Sequence, residues 1–161
     1  MPIKVGDRLP EATFTTMSAE GPKPMTTGEA FGGKKVALFA VPGAYTPTCH
    51  KTHMPGFVQN YEELKKKGFD LVACTAVNDI FVLTNWAKDS GAAGKILMLA
   101  DGSAEFAKKI GLDIDLNARG LGVRSRRYSM IVENGTVKAL NVEDAPPNVD
   151  KSSAATLCAM A

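Results

Sequence analysis

The chain is short of several things that would point elsewhere. It has 161 residues but only three cysteines, Cys49, Cys74 and Cys158. An odd number of thiols does not make a secreted disulfide framework. No C-x-x-C pair is present for disulfide reductase chemistry. Charge of one sign is not in excess, since 19 basic and 17 acidic residues leave a formal charge of +2. Phosphate binding needs a strong basic surplus, so nucleic acid is not an expected partner. No apolar run approaches the length of a membrane span. The N-terminal "MPIKVGDRLPEATF" lacks the apolar centre of a signal peptide. A cytoplasmic location without a membrane partner is the expectation. Histidine is scarce too, with only His50 and His53. These two and Cys49 form a short cluster that invites a metal reading, but a stable zinc or copper site wants a fourth ligand. No second His or Cys pair lies nearby, so no metal is expected.

What is present is 45% hydrophobic and 22% charged residues, the balance of a single globular domain over residues 1–161 that can bury its own core. Apolar runs of strand length recur at "KVALFA" (35–40), "FDLVACTAV" (69–77) and "KILMLA" (95–100). In "RYSMIVENGTVKALNV" (127–142), Asn134-Gly135 separates two β-like runs, a strong hairpin signal. Helical patterns fall between the strands, at 48–68, 78–91 and 102–111, and a last one covers 150–161. The third is expected to be capped by Ser103. Near-continuous apolar strands alternating with helices predict an α/β fold, a central sheet flanked by helices on both faces. The late hairpin makes that sheet mixed, and the order fits a thioredoxin-like fold.

The stretch "VPGAYTPTCH" (41–50) follows the first of these strands. With Thr46 as N-cap and Pro47 as N1, Cys49 falls in the first helical turn. Unpaired N–H groups and the helix dipole favour negative charge there. A thiolate is such a charge, and only the thiolate is a strong nucleophile. The dipole supplies about 0.3–1 kcal/mol at an exposed site, so a cation is needed beside it. Candidates cluster in "ARGLGVRSRRYSM". Arg119, Arg124 and Arg126 read as a solvated face. Arg127 directly precedes an apolar strand, so the sheet can hold it and aim it inward. Within the first helix pattern Pro55 removes a backbone donor, which predicts a kink or π-type bulge near residues 52–56. His50 reads as a surface histidine.

The spacing Pro42-x-x-x-Thr46-x-x-Cys49 resembles the active-site signature of the peroxiredoxins, a family of thiol peroxidases. The longer "FAVPGAYTPTCHKTHMPGF", with "VNDIFVLTNWAK", "LGVRSRRYSMIVENG" and "VKALNVE", is similar to the type II or peroxiredoxin-5 subfamily. The resemblance runs from about residue 3 to about residue 157 and implies a thioredoxin fold with an N-terminal extension. It implies reduction of hydrogen peroxide and organic hydroperoxides. Cys49 matches the peroxidatic cysteine, which passes through a sulfenic acid. Thr46 matches the hydroxyl that bonds peroxide and thiolate, Pro42 the shield of the pocket, and Arg127 the stabilising arginine. No bound cofactor is implied.

The second thiol is less determined. In plant-type relatives a cysteine at the position of Cys74 is the proposed resolving thiol, whereas Cys158 lies in "AATLCAMA", which lacks the animal-type motif. Both Cys49 and Cys74 are expected in regular structure, so an internal bridge needs local unwinding. That favours glutathione with glutaredoxin as the external thiol reductant over thioredoxin. A homodimer is implied by the resemblance and weakly supported by "IFVLTNW", which has more large side chains than one helix face needs. A Cys/His metal- or redox-sensing protein is the alternative of a different class.

Overall fold

The computed structural model describes residues 2–145 and 148–161. Its elements in chain order are β1 (Thr13–Ser18), β2 (Gly21–Thr26), α1 (Thr27–Phe31) and β3 (Lys35–Ala40). A π turn (Cys49–His53), α2 (Met54–Gln59), α3 (Tyr61–Lys66) and β4 (Leu71–Ala76) follow. Then come α4 (Ile80–Asp89), β5 (Leu97–Ala100), α5 (Glu105–Lys109) and β6 (Asp113–Asp115). A 3₁₀ turn (Asn117–Arg119), β7 (Val123–Ser125), β8 (Tyr128–Glu133), β9 (Thr136–Val142) and α6 (Ala154–Met160) complete the chain.

Seven strands form one sheet in the order β2-β1-β5-β4-β3-β8-β9, and β6 with β7 form a small separate ribbon. The three apolar runs predicted as strands are the parallel centre, β3, β4 and β5. The expected hairpin β8–β9 adds antiparallel strands to one side. Asn134 and Gly135 both take positive φ, 47° and 78°, as a two-residue type I′ turn requires. The fold is thus the mixed, helix-flanked α/β sheet of the thioredoxin class. Period-two alternation divides each central strand between two cores. Ala37, Phe39, Val41, Val72, Cys74 and Ala76 join Cys49, Phe57 and Trp86 on one face. Val36, Leu38, Ala40 and Ala73 join Phe14, Phe31 and Phe106 on the other.

Four local readings are corrected by the structure. The strand–helix series omits the N-terminal hairpin β1–β2, which pairs with β5 and closes the other edge of the sheet. Pro22 and Pro24 hid β2, because proline cannot donate to a ladder and is tolerated only on an edge, where this strand lies. The single helix expected over 48–68 is broken at Asn60, whose φ of −95° and ψ of 8° separate α2 from α3. Asn60 Nδ2 donates to the Gly56 carbonyl at 2.8 Å and stabilises that break. The π turn lies at 49–53, earlier than the predicted 52–56. There Met54 N–H reaches back five residues to the Cys49 carbonyl. Widening the helix just before Pro55 relieves the clash its ring would make with the preceding turn.

The fourth correction concerns the cap of α5. Ser103 does not cap it. The buried Asp101 carboxylate accepts from Phe106 N–H at 3.0 Å and Ala107 N–H at 2.9 Å. Ala104, in the left-handed region at φ 59°, turns the chain back to allow this. Asp101→Ala should therefore lower the unfolding free energy by about 1–2 kcal/mol, the usual cost of a lost carboxylate cap. Ser103→Ala should stay within about 0.5 kcal/mol, as for most surface changes. Urea denaturation of the two variants checks the ranking.

Candidate active site

The sheet register places the site. Ala40, the last residue of β3, pairs with Tyr128, the first of β8. Both chains leave the sheet at the same level, β3 into "VPGAYTPTC" and β8 backward into Arg127. The π turn then returns Cys49 over that end. Pro47 and Thr48 are the first helical residues, so Thr46 takes the N-cap position, as predicted. Its side chain is not used as an ordinary cap. Thr46 Oγ1 lies 2.7 Å from the Gly43 carbonyl and 2.9 Å from Cys49 Sγ. One hydroxyl carries one proton. It either donates to Gly43 and accepts from a thiol, or donates to an ionised sulfur.

Arg127 is 3% exposed and reaches the same sulfur, with its Nη2 donating to Cys49 Sγ at 2.9 Å. Two donors of different kinds therefore converge on one sulfur. A buried guanidinium hydrogen-bonded to sulfur favours negative charge there. Cys49 is itself fully buried. A cavity of about 460 Å³ reaches the two side chains that hold it, Thr46 and Arg127, and is walled by Pro42, Pro47, Thr48, Leu116, Arg119 and Leu121. Three of the four residues proposed from sequence, Pro42, Thr46 and Arg127, thus line one cavity, and the fourth, Cys49, is held by two of them.

His53 supplies what the sequence reading missed. It is 1% exposed and packs against Phe39 and Phe57. Its Nε2 stands 2.9 Å from the Ser152 carbonyl, which can only accept, so Nε2 carries the ring proton. Nδ1 is then bare and accepts from Arg127 Nη1 at 3.0 Å. Burial, and next the Arg127 charge, lower the His53 pKa to about 3. Ser152 is fixed in turn by the buried Glu143, whose Oε2 accepts from Ser152 N–H and Oγ–H, each at 2.6 Å. Glu143 N–H donates to the Arg127 carbonyl at 3.0 Å. The path from Arg127 through His53, Ser152 and Glu143 returns to Arg127 as a closed ring of hydrogen bonds.

Two other basic residues depart from the sequence reading. Arg124 is not simply a solvated side chain. It is half-buried, with Nε donating to the Leu121 carbonyl at 2.7 Å and Nη1 to the Pro42 carbonyl at 3.3 Å. A Cβ at Gly43 would lie 2.8 Å from Arg124 Nη1, so this approach needs glycine. His50 is likewise no free surface histidine, because Trp86 Nε1 donates to its Nδ1 at 3.0 Å. Cys49 and His53 thus share Arg127 as a donor, while His50 turns to Trp86. Among the described residues no group of three or more His, Cys, Asp or Glu is placed to hold a metal. Cys74 stands beside Phe39 in register, fully buried on the Cys49 face. Burial, and then the nearby Cys49, raise its pKa well above the ordinary thiol value. Cys158, in α6, borders a different cavity with Asn60, Glu63 and Lys67. Burial and then Glu63 raise its pKa as well.

The Redoxin family model matches residues 4–158. Peroxiredoxin-2D of Arabidopsis thaliana is 42% identical over 144 residues, covering 89% of each chain. The chain belongs to the peroxiredoxin family. The chloroplastic peroxiredoxin-2E of the same plant is 47% identical over 146 residues, 88% of this chain and 62% of that one. This chain thus spans less than two thirds of that longer relative. Among solved structures, reduced Prx3 of Vibrio vulnificus in complex with H₂O₂ is 47% identical. It covers 98% of both chains with a TM-score of 0.93.

The His53–Arg127 pair gives this peroxiredoxin a measurable pH signature. The folded chain keeps His53 neutral down to about pH 3, while an unfolded histidine takes a proton near 6.5. As pH falls below about 6.5 the unfolded state binds the extra proton, so stability present above that pH is progressively lost. At pH 5 the His53 contribution should be a loss of about 2 kcal/mol relative to pH 7. Urea unfolding at both pH values should show this difference in the parent chain. His53→Gln, which keeps a donor and an acceptor but does not titrate, should reduce it.

Proposed function

We propose that this peroxiredoxin is a thiol-dependent peroxidase that reduces hydrogen peroxide and organic hydroperoxides through Cys49. The observation that carries this reading is the convergence of Arg127 Nη2 and Thr46 Oγ1 on Cys49 Sγ, each at 2.9 Å, beneath a cavity that reaches both donors. The co-crystallised H₂O₂ of the Vibrio relative supports the same substrate class here.

The Cys49 thiolate attacks the terminal, protonated oxygen of the peroxide. An S–O bond forms as the O–O bond breaks. The sulfur loses two electrons and becomes a sulfenic acid, the first rung of cysteine oxidation. The departing oxygen takes those electrons and leaves, after gaining a proton, as water or an alcohol. Charge shifts from sulfur to the departing oxygen, so donors fixed beforehand along that path lower the barrier. Arg127 and Thr46 are such donors, and Pro42 walls the reacting atoms from solvent. His53 does not act as the acid, because it is neutral with a pKa of about 3. Its part is to orient Arg127. The cycle as written uses no metal and no bound cofactor.

Two external thiols then return the sulfenic acid to the thiol, releasing water and a disulfide. Glutathione with glutaredoxin is the favoured donor, with thioredoxin acting through a Cys49–Cys74 disulfide as the rival. Cys74 lies inside β4 with its proton held firmly by burial, which supports an outside thiol. We also propose a homodimer through the face beside the site. Phe81 is 60% and Tyr45 45% exposed, and Tyr45 bonds Asp89 on the same exposed side of α4 as Phe81.

Cys49→Ser should abolish peroxide consumption in a stopped-flow assay; near-parental rates would overturn the assignment. Arg127→Lys loses the planar fork and should slow the peroxide step by about 100-fold, the scale of one lost transition-state donor. Arg124→Lys should give a smaller loss through Pro42, and the exposed Arg126→Lys almost none. Equal losses at all three would point to a diffuse basic patch. The double variant Cys74→Ser/Cys158→Ser should keep most glutathione/glutaredoxin-driven turnover. Its loss, with single-turnover reduction intact, would show that an internal resolving cysteine is required.

A further inference from the structure

The cavity above Cys49 holds far more than hydrogen peroxide, which is of the order of two water molecules. Its volume of about 460 Å³ falls in the range of small-molecule sites, roughly 300–1,000 Å³. Its walls are mostly apolar, from Pro42, Pro47, Leu116 and Leu121, and among the described residues no carboxylate lines it. Two guanidinium groups belong to it at different depths. Arg127 is buried and holds the Cys49 sulfur, whereas Arg119 is exposed. Among the described residues the Arg119 guanidinium makes no hydrogen bond or ion pair. Arg124, in the same segment, is occupied by the Leu121 and Pro42 carbonyls.

The segment that carries Arg119 is built rather than slack. Arg119 and Leu121 N–H both return to the Leu116 carbonyl, at 3.0 and 3.1 Å, and Leu116 N–H bonds the Gly122 carbonyl at 2.8 Å. Gly120 and Gly122, at φ 72° and 70°, close this arch. It presents Leu116, Arg119 and Leu121 to the same cavity. The neighbouring Asp115 carboxylate accepts Asn117 N–H at 2.8 Å, and among the described residues it neither lines the cavity nor pairs with Arg119.

We infer that this site selects hydroperoxides that carry a carboxylate on an apolar chain, and that Arg119 is the residue that receives the carboxylate. The inference rests on the peroxidase reading of Cys49 and names the substrate class of that site. The geometry sets the orientation. The hydroperoxide goes to the floor, at Thr46 and Arg127, the apolar chain lies against the leucines and prolines, and the carboxylate stays at the wet end with Arg119. A guanidinium suits a planar carboxylate, which it can bind by two parallel donors.

The test has a binding arm and a turnover arm. In calorimetry, decanoate should bind the parent chain more tightly than decanol, and Arg119→Gln should remove most of that advantage. In turnover, 10-hydroperoxydecanoic acid should exceed its methyl ester in kcat/KM by about fivefold or more at low salt, the scale of a charge-assisted pair. The ratio should fall to about one in Arg119→Gln and be partly retained in Arg119→Lys. Decanoate and decanol binding alike, or an acid-to-ester ratio unchanged by Arg119→Gln, would overturn the inference. The two levels fail separately. Decanoate binding reports on Arg119 without any turnover, and hydrogen peroxide consumption by the parent chain reports on Cys49 without any carboxylate.

Discussion

A single buried cation organises the functional end of this protein. Arg127 is taken out of water at the edge of the sheet, and an isolated buried charge is costly unless its donors are all met. One nitrogen bonds the Cys49 sulfur and another the bare nitrogen of His53. The main chain of Arg127 pairs with Glu143, which holds Ser152, which fixes the His53 ring. Each member restricts the next, so the guanidinium has little freedom to turn away from the sulfur. The same ring explains why His53 stays neutral. A second ring proton would face Arg127 inside an aromatic, water-poor pocket.

The scaffold makes this arrangement possible through register and one helix defect. Pairing of Ala40 with Tyr128 brings the exit of β3 and the approach to β8 to one level. The loop between β3 and the π turn is then pinned from both sides. Arg124 holds the Pro42 carbonyl, and Asn78 Oδ1 accepts from Ala44 N–H at 2.9 Å. The wider π turn carries Cys49 and His53 as its first and last residues, both buried. Both can therefore face the same guanidinium. Pro55 just beyond it accounts for the defect without any appeal to flexibility.

The two faces of the site differ in character. Beneath the sulfur lie Phe39, Phe57 and the rest of one apolar core, which excludes water. Above it lies a cavity with apolar walls and the exposed Arg119 among its lining residues. Cys74 belongs to the first environment and Arg119 to the second. Burial that suppresses ionisation suits Cys74 as packing, while exposure suits Arg119 for contact with solutes.

The central strands, the Asn134-Gly135 hairpin, the Thr-Pro start of the helix at Cys49 and the candidacy of Arg127 among four arginines are all legible in the order of residues. Each of these is a local signal: strand-length apolar runs, a turn dipeptide, a cap with proline behind it, a charge at the mouth of an apolar strand. Four strands and a cap escaped the sequence reading because a competing local signal was present, the strand was too short to show a run, or the true partner was displaced. Prolines masked the edge strand β2 and with it the hairpin to β1, β6 and β7 have only three residues each, and Asp101 rather than the nearby Ser103 caps α5. Tertiary structure alone decided the rest. His53 and Ser152 are 99 residues apart, Arg124 and Pro42 82, and Arg127 and Cys49 78. No periodicity links such positions. They meet only because the order and register of the strands bring separate chain segments to one end of the sheet. The tautomer of His53 and the docking of Arg124 on Pro42 follow from that meeting, since a side chain's hydrogen-bond partner is set by what packs beside it.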